Sequence, residues 1–181
     1  MCDGATFASV TSDWLGTRGR DGGTDAVPLP GSSGRLSLCG KHAIGPDHEA
    51  ALARCGATTV VCLVEAYELV DRYPEYLSWL QSAAAAGDAV WFPIHDLHAP
   101  ALDATLPFLA ELQRRLDDGQ HLLMHCAAGI GRTGTLAVCL LMMQGMPRDA
   151  ALAHVATHRP MAGPEVGAQT ELVKALAAHL A

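Results

Sequence analysis

The 181-residue chain is 50% hydrophobic and 17% charged, with a formal net charge of −7, which is enough apolar material for one well-filled domain and unlike a disordered chain. The negative balance gives no electrostatic footprint for nucleic acid or an anionic membrane surface, and no apolar run approaches the ~20 residues of a membrane span. Residues 1–10 lack a basic, apolar secretory pattern, and Cys2, Cys39, Cys55, Cys62, Cys126 and Cys139 show no CxxC or disulfide-scaffold spacing, so a reducing cytoplasmic setting is expected.

Residues 1–34 are polar and turn-rich and read as a loose N-terminal arm, with at most a short strand near Trp14-Leu15. Arg18 and Arg20 in that arm are either solvated loop arginines or contacts for an anionic substrate. Residues 35–181 then read as a single domain. Residues 35–39 alternate as a strand, and Asp47 is placed to cap a helix over 49–54 that Gly56 ends. Residues 58–64 are β-branched and apolar throughout, as in a strand buried on both faces. The stretch 66–86 is helical in pattern but divided by Pro74, and 89–92 is a short strand running into a Pro-bounded loop over 93–100.

Leu102, Leu106, Leu109, Leu112 and Leu116 mark one helix face, with Pro107 suggesting that the regular helix begins near Thr105. After Leu122-Leu123-Met124, a strand delivers His125 and Cys126. Helical stretches follow over 133–144, 148–158 and 168–180, with Pro147 opening the second and Pro160 closing it. Strands alternating with helices imply an α/β fold: a central, mostly parallel sheet flanked by helices.

The sequence His125-Cys126-Ala127-Ala128-Gly129-Ile130-Gly131-Arg132-Thr133-Gly134 carries the chemistry. A strand, a tight glycine-rich loop and a helix start place unpaired backbone N–H groups and a partial positive charge around one point, which suits an anion. The glycines let the amides turn inward as a nest, and the Arg132 guanidinium is a planar fork matched to phosphate oxygens. Such surroundings favour a thiolate, so Cys126 reads as a nucleophile beneath a bound phosphate. The loop lacks the Gly-Lys-Ser/Thr ending of a Walker A nucleotide loop.

His-Cys-x5-Arg-Thr-Gly resembles the signature loop of cysteine-dependent protein tyrosine and dual-specificity phosphatases. The resemblance implies that Cys126 is the nucleophile and Arg132 the phosphate clamp. It also implies that Thr133 hydrogen-bonds the sulfur, that His125 supports the loop from behind, and that Ala127, Ala128, Gly129, Ile130 and Gly131 line the phosphate. The fold it implies is protein-tyrosine-phosphatase-like, of dual-specificity size. Looser likenesses at Leu36-Ser37-Leu38-Cys39-Gly40, at 52–57 and at Glu68-Leu69 are similar to the cyclin-dependent-kinase-inhibitor-3-like subgroup. The Ala-rich composition resembles bacterial chains, which would remove a cyclin-dependent kinase as partner.

Cleavage of a phosphate ester leaves a basic oxygen that needs a proton, work suited to a carboxylic acid on a loop over the site. Asp96 is the candidate, at the C-terminal end of a strand, where α/β sheets gather their functional loops. Its frame, Phe92-Pro93-Ile94-His95-Asp96, resembles the general-acid loop of the same family. Asp103 is a rival acid at a helix start, where capping explains it, and His95 and His98 flank Asp96 as tuning groups or exposed loop residues. Gln169-Thr170 resembles the family's late Gln loop, so Gln169 is read as a supporting residue, either placing water or serving the helix start. Cys62 is a core cysteine or a resolving thiol for Cys126.

The expected reaction is two-step hydrolysis through a phosphocysteine, with no metal or cofactor, on a phosphorylated protein or peptide. Ala127, Ala128 and Ile130 include no Lys of the kind that resembled phosphoinositide enzymes use. That favours phosphotyrosine, with phosphoserine and phosphothreonine also admitted by a shallow site. A phosphoinositide or small-metabolite phosphatase, and a weakly catalytic phosphate-binding module, remain the alternatives.

Overall fold

The computed structural model describes residues 23–181. In chain order they form β1 (Thr24–Val27), β2 (Arg35–Gly40), α1 (Lys41–Ile44), α2 (His48–Cys55), β3 (Thr59–Cys62), α3 (Tyr67–Val70), α4 (Pro74–Ala86), β4 (Ala89–Trp91), α5 (Leu102–Asp117), β5 (His121–Cys126), α6 (Gly131–Met143), α7 (Arg148–His158) and α8 (Gly167–His179).

The strands make one five-stranded sheet in the order β1-β2-β5-β3-β4. All pairings are parallel except β1 with β2. β5 is central and every one of its six residues is buried, as the unbroken apolar run requires of a strand with neighbours on both sides. Its register sets Cys126 beside Gly40 of β2 and His125 beside Cys62 of β3, so three strand ends converge where the chain leaves β5.

α6 leaves that point and packs against β5, with α5, α7 and α8 around it. Gly131 through Met142 are all buried, which fits a helix apolar on every side and makes the polar Arg132, Thr133 and Thr135 within it conspicuous. Local signals match the helix boundaries closely elsewhere. The Asp47 carboxylate accepts from Ala50 N–H at 2.9 Å, Pro74 occupies the first turn of α4, and α7 spans the expected residues. Among the described residues, no helix is long and apolar enough to cross a membrane.

Two expectations need correction. Residues 24–27, expected within a loose arm, form β1, an antiparallel edge strand running from Thr24 opposite Cys39 to Val27 opposite Leu36. Only Val27 of its four residues is buried, so the hydrophobic pattern carries no strand signal and the ladder with β2 supplies the order. The strand suggested near Trp14-Leu15, like Arg18 and Arg20, lies outside the described residues. The second correction is α5, which begins at Leu102 and not near Thr105, with Pro107 inside it. Pro107 lies on the exposed face in the second turn, where the carbonyl it leaves unbonded belongs to the exposed Asp103 and can be hydrated.

Candidate active site

The loop between β5 and α6 is shaped by what its carbonyls do. Ala127 O accepts from Lys41 N–H at 3.0 Å, Ala128 O from Arg159 Nη2 at 2.8 Å, and Gly129 O from Arg159 Nε at 2.6 Å. Ile130 O accepts from Gly134 N–H at 2.8 Å and Gly163 N–H at 3.3 Å. Four successive carbonyls are thus drawn outward, and the amides between them line a concave nest at the N-terminus of α6. Gly129 sits at φ +73°, and a Cβ there would collide with the Cys39 carbonyl of β2, so only glycine lets the loop lie this close to the sheet. Its N–H donates to Cys126 Sγ at 3.2 Å, which orients the sulfur toward the floor of the nest.

Arg132 is 2% exposed in its side chain and doubly braced. Nη1 donates to Glu68 Oε1 at 2.7 Å and to the Ile94 carbonyl at 2.8 Å, and Nη2 donates to Glu68 Oε2 at 3.0 Å. The Asp96 carboxylate reaches the same Nη2 at 2.9 Å while remaining largely exposed. Burial pushes the Glu68 carboxyl up, but the Arg132 bonds, Glu65 N–H and Lys41 outweigh it and hold the group below its ordinary value. Lys41 Nζ also donates to the Glu68 carbonyl at 2.9 Å, fixing α3 against α1.

His125 is fully buried behind the loop, with Nε2 2.6 Å from the Tyr76 hydroxyl and Nδ1 3.5 Å from the Cys126 carbonyl. Burial, with a smaller effect from Arg132, lowers its pKa to about 4 against the pull of the Cys126 carbonyl, so the ring is neutral near pH 7. A Tyr76 O–H donated to Nε2 and an Nδ1–H facing the Cys126 carbonyl satisfy both groups.

Thr133 departs from expectation. Its hydroxyl is buried without a hydrogen-bond partner, and the Cys126 sulfur takes its bond from Gly129 instead. A buried hydroxyl left this way costs about 1–3 kcal/mol. Gln169 is buried in the first turn of α8. Its Oε1 accepts from Glu165 N–H at 2.8 Å and from Thr135 Oγ1 at 3.4 Å, and its Nε2 donates to the His98 carbonyl at 3.3 Å. It therefore ties α8 to α6 and to the loop that carries Asp96, with its amide already engaged.

The residues around Asp96 brace its loop. His95 Nδ1 pairs with Glu65 Oε2 at 2.8 Å, His98 Nδ1 lies 2.8 Å from the Asp96 carbonyl, and the two rings meet edge-on at 4.8 Å. Asp103 spends its carboxylate on Ala104 N–H at 2.8 Å in the first turn of α5. Cys62 is wholly buried, its thiol pushed up to about 12 mainly by burial, which makes it a core cysteine and a poor partner for exchange.

Two structural participants escaped the sequence reading. Glu68 was noted only in passing, although an Arg within a buried apolar helix needs a carboxylate, and Glu65 and Glu68 follow the nearest strand end. Arg159, 3% exposed, holds two loop carbonyls and pairs with Asp25 Oδ2 at 2.5 Å. Its place beside Pro160, just beyond α7, gives no local hint of that reach.

Residues 35–176 match the family described as "Swiss Army Knife protein, DSP-PTPase phosphatase domain". The chain belongs to this DSP-PTPase phosphatase family. Solved structures agree in fold. The phosphatase domain is 29% identical to Tk-PTP in its active form, with a TM-score of 0.63 over 85% of this chain and 97% of that one. It is 20% identical to kinase associated phosphatase carrying a Ser at its catalytic Cys, with a TM-score of 0.70 over 87% and 95%. It is 13% identical to PTPMT1 in complex with PI(5)P, with a TM-score of 0.59 over 80% and 91%. The phosphatase is thus a hydrolase of the cysteine-loop type acting on a phosphorylated substrate.

Proposed function

We propose that this phosphatase hydrolyses phosphotyrosine in a protein or peptide, with phosphoserine and phosphothreonine as poorer substrates, through a phosphocysteine on Cys126. The observation that supports it most is the Asp96 carboxylate 2.9 Å from the Arg132 guanidinium, which brings a carboxyl group able to shuttle a proton to the group placed to clamp phosphate. Entering phosphate takes the place of Asp96 on Nη2, and the freed carboxylate takes up a proton from solvent and moves toward the ester oxygen. In the first step Cys126 thiolate attacks in line. The S–P bond forms, the P–O ester bond breaks, and the Asp96 carboxylic acid gives its proton to the leaving oxygen. In the second step water attacks phosphorus, its proton passes to the Asp96 carboxylate, and the P–S bond breaks. The loop amides and Arg132 hold the equatorial oxygens in both steps, and Thr133 offers its unpartnered hydroxyl to the departing sulfur.

A protein substrate is favoured over a polyphosphorylated lipid because Ala127, Ala128 and Ile130 add no cation, while Lys41 is committed to Glu68. The thiolate chemistry fits a reducing, cytoplasmic compartment. The test is turnover of phosphotyrosyl, phosphoseryl and phosphoinositide substrates by released phosphate, with Cys126→Ser beside it. Phosphotyrosyl turnover that falls to background in Cys126→Ser is expected; turnover confined to the phosphoinositide would overturn the reading.

A further inference from the structure

Asp96 stands at the corner of a turn that runs from His95 to His98. His98 N–H donates to the His95 carbonyl at 3.0 Å and closes it, and Leu97 at φ +59° takes the positive-φ place that such turns use. His98 Nδ1 lies 2.8 Å from the Asp96 carbonyl, and Gln169 Nε2 donates to the His98 carbonyl at 3.3 Å, so the far end of the turn is tied to α8. Its near end, His95, is tied by Glu65, in the segment between β3 and α3.

Glu65 joins that turn to the phosphate clamp. Its Oε2 accepts from His95 Nδ1 at 2.8 Å, and its backbone N–H donates to Glu68 Oε1 at 3.1 Å. The same Glu68 oxygen accepts from Arg132 Nη1 at 2.7 Å, and the Asp96 carboxylate returns to Arg132 Nη2 at 2.9 Å. Arg132, Glu68, Glu65, His95 and Asp96 thus close a ring of contacts. Its members come from the start of α6, the segment between β3 and α3 with α3 itself, and the loop after β4. One link in the ring is temporary, because phosphate on Nη2 takes the place of Asp96. Arg132 Nη1 also holds the Ile94 carbonyl at 2.8 Å, which fixes where the loop begins but not how the turn beyond it is oriented. Once Asp96 has left Arg132, two ties orient the turn: the 3.3 Å amide contact of Gln169 and the shorter, carboxylate contact of Glu65.

We infer that Glu65 is a positioning residue for the Asp96 acid: through His95 it keeps the turn over the nest after phosphate has displaced the Asp96 carboxylate from Arg132. This rests on the mechanism proposed above, in which Asp96 protonates the leaving oxygen. The backbone of the turn stays in place while the Asp96 side chain swings from the guanidinium to the ester, so the acid searches a small volume and meets the oxygen in a productive orientation. The contact needs an N–H at the Nδ1 position, since a carboxylate only accepts. The His95 and Glu65 side chains are 60% and 33% exposed, so water and salt screen the pair, and removing it loosens the turn without unfolding the chain.

The experiment measures kcat and KM on phenyl phosphate and on p-nitrophenyl phosphate, two aryl esters that differ in how much the leaving oxygen needs a proton. The full chain is compared as wild type, Glu65→Ala, His95→Ala, the double variant of these two, and His95→Asn, whose amide N–H stands where the Nδ1–H does. Each Ala variant should lose roughly three- to fivefold in kcat on phenyl phosphate, the scale of an exposed ion pair, with KM and the p-nitrophenyl rate nearly unchanged. The double variant should lose no more than either single one, because both remove the same contact. His95→Asn should keep most of the wild-type rate. An unmoved phenyl phosphate rate, equal losses on both esters, losses that multiply in the double variant, or His95→Asn as slow as His95→Ala would each overturn the positioning role. A wild type that turns over neither ester would instead overturn the phosphatase mechanism on which it stands.

Discussion

The floor of the phosphate nest and its rim are built by opposite means. On the floor, Arg132, Arg159 and His125 are almost wholly enclosed, and each is held by named partners from distant parts of the chain. At the rim, the Asp96 and His95 side chains are 57% and 60% exposed, the first restrained by Arg132 and the second by Glu65 and the His98 ring. The difference separates two duties. A nest that must stabilise charge as it develops gains from donors fixed in advance, because they need no reorganisation at the moment of reaction. In the proposed mechanism Asp96 leaves Arg132 to meet a substrate oxygen, and a surface position with few ties suits that movement.

Perturbing the rim acid should produce the largest effect. Asp96→Asn should cost roughly 10²–10⁴ in kcat on esters with poor leaving groups and much less on p-nitrophenyl phosphate, whose leaving oxygen needs little protonation. Steady-state kinetics on the two substrate types checks this, and an equal loss on both would remove Asp96 from the acid role.

On the floor, Arg132→Lys should lower kcat/KM by roughly 10²–10³, since an ammonium cannot serve Glu68 and phosphate together as the planar fork does. Phosphate affinity by calorimetry should fall with it, whereas Asp96→Asn should leave phosphate bound. Arg159→Met is expected to destabilise the fold by about 3 kcal/mol, measured by urea unfolding, because it removes a buried charge partner of Asp25 and the donors to the Ala128 and Gly129 carbonyls.

The smallest predicted effect concerns acid stability. His125 has a native pKa of about 4 against an ordinary 6.5, so the unfolded chain binds more protons in between. The associated stability is complete above pH 6.5 and is lost as pH falls toward 4, about 2 kcal/mol of it between pH 6.5 and 5, before most carboxylates titrate. The urea midpoint should drop over that interval in the wild type and flatten in His125→Gln. A wild-type midpoint constant from pH 6.5 to 5 would contradict the buried neutral imidazole.

What was legible beforehand follows the range of the interactions. Caps and breakers act over three or four residues, so Asp47, Pro74 and Pro147 place helix ends correctly from local chemistry alone. The loop from His125 to Gly134 is also local, since strand, nest and helix start are consecutive. The partners of Arg132 and Arg159 are not, because Glu68 lies 64 residues from the first and Asp25 lies 134 from the second. β1 was missed for the same reason, its order coming from a ladder with β2 that its own alternation does not announce. The contact of Thr133 was not legible for a different reason. The resemblance implied a Thr133 bond to the sulfur, but the donor the sulfur accepts here is set by the path of the backbone at Gly129.

Arg159 joins β1 to the nest in a way that matters for anyone shortening this chain. One end of its guanidinium holds the loop and the other meets Asp25, ten residues upstream of the first position of the matched span, which begins at residue 35. A fragment trimmed to residues 35–176 would keep every recognisable motif yet lose the strand that anchors this strut. The mechanical boundary of the enzyme therefore lies further toward the N-terminus than its sequence signature does.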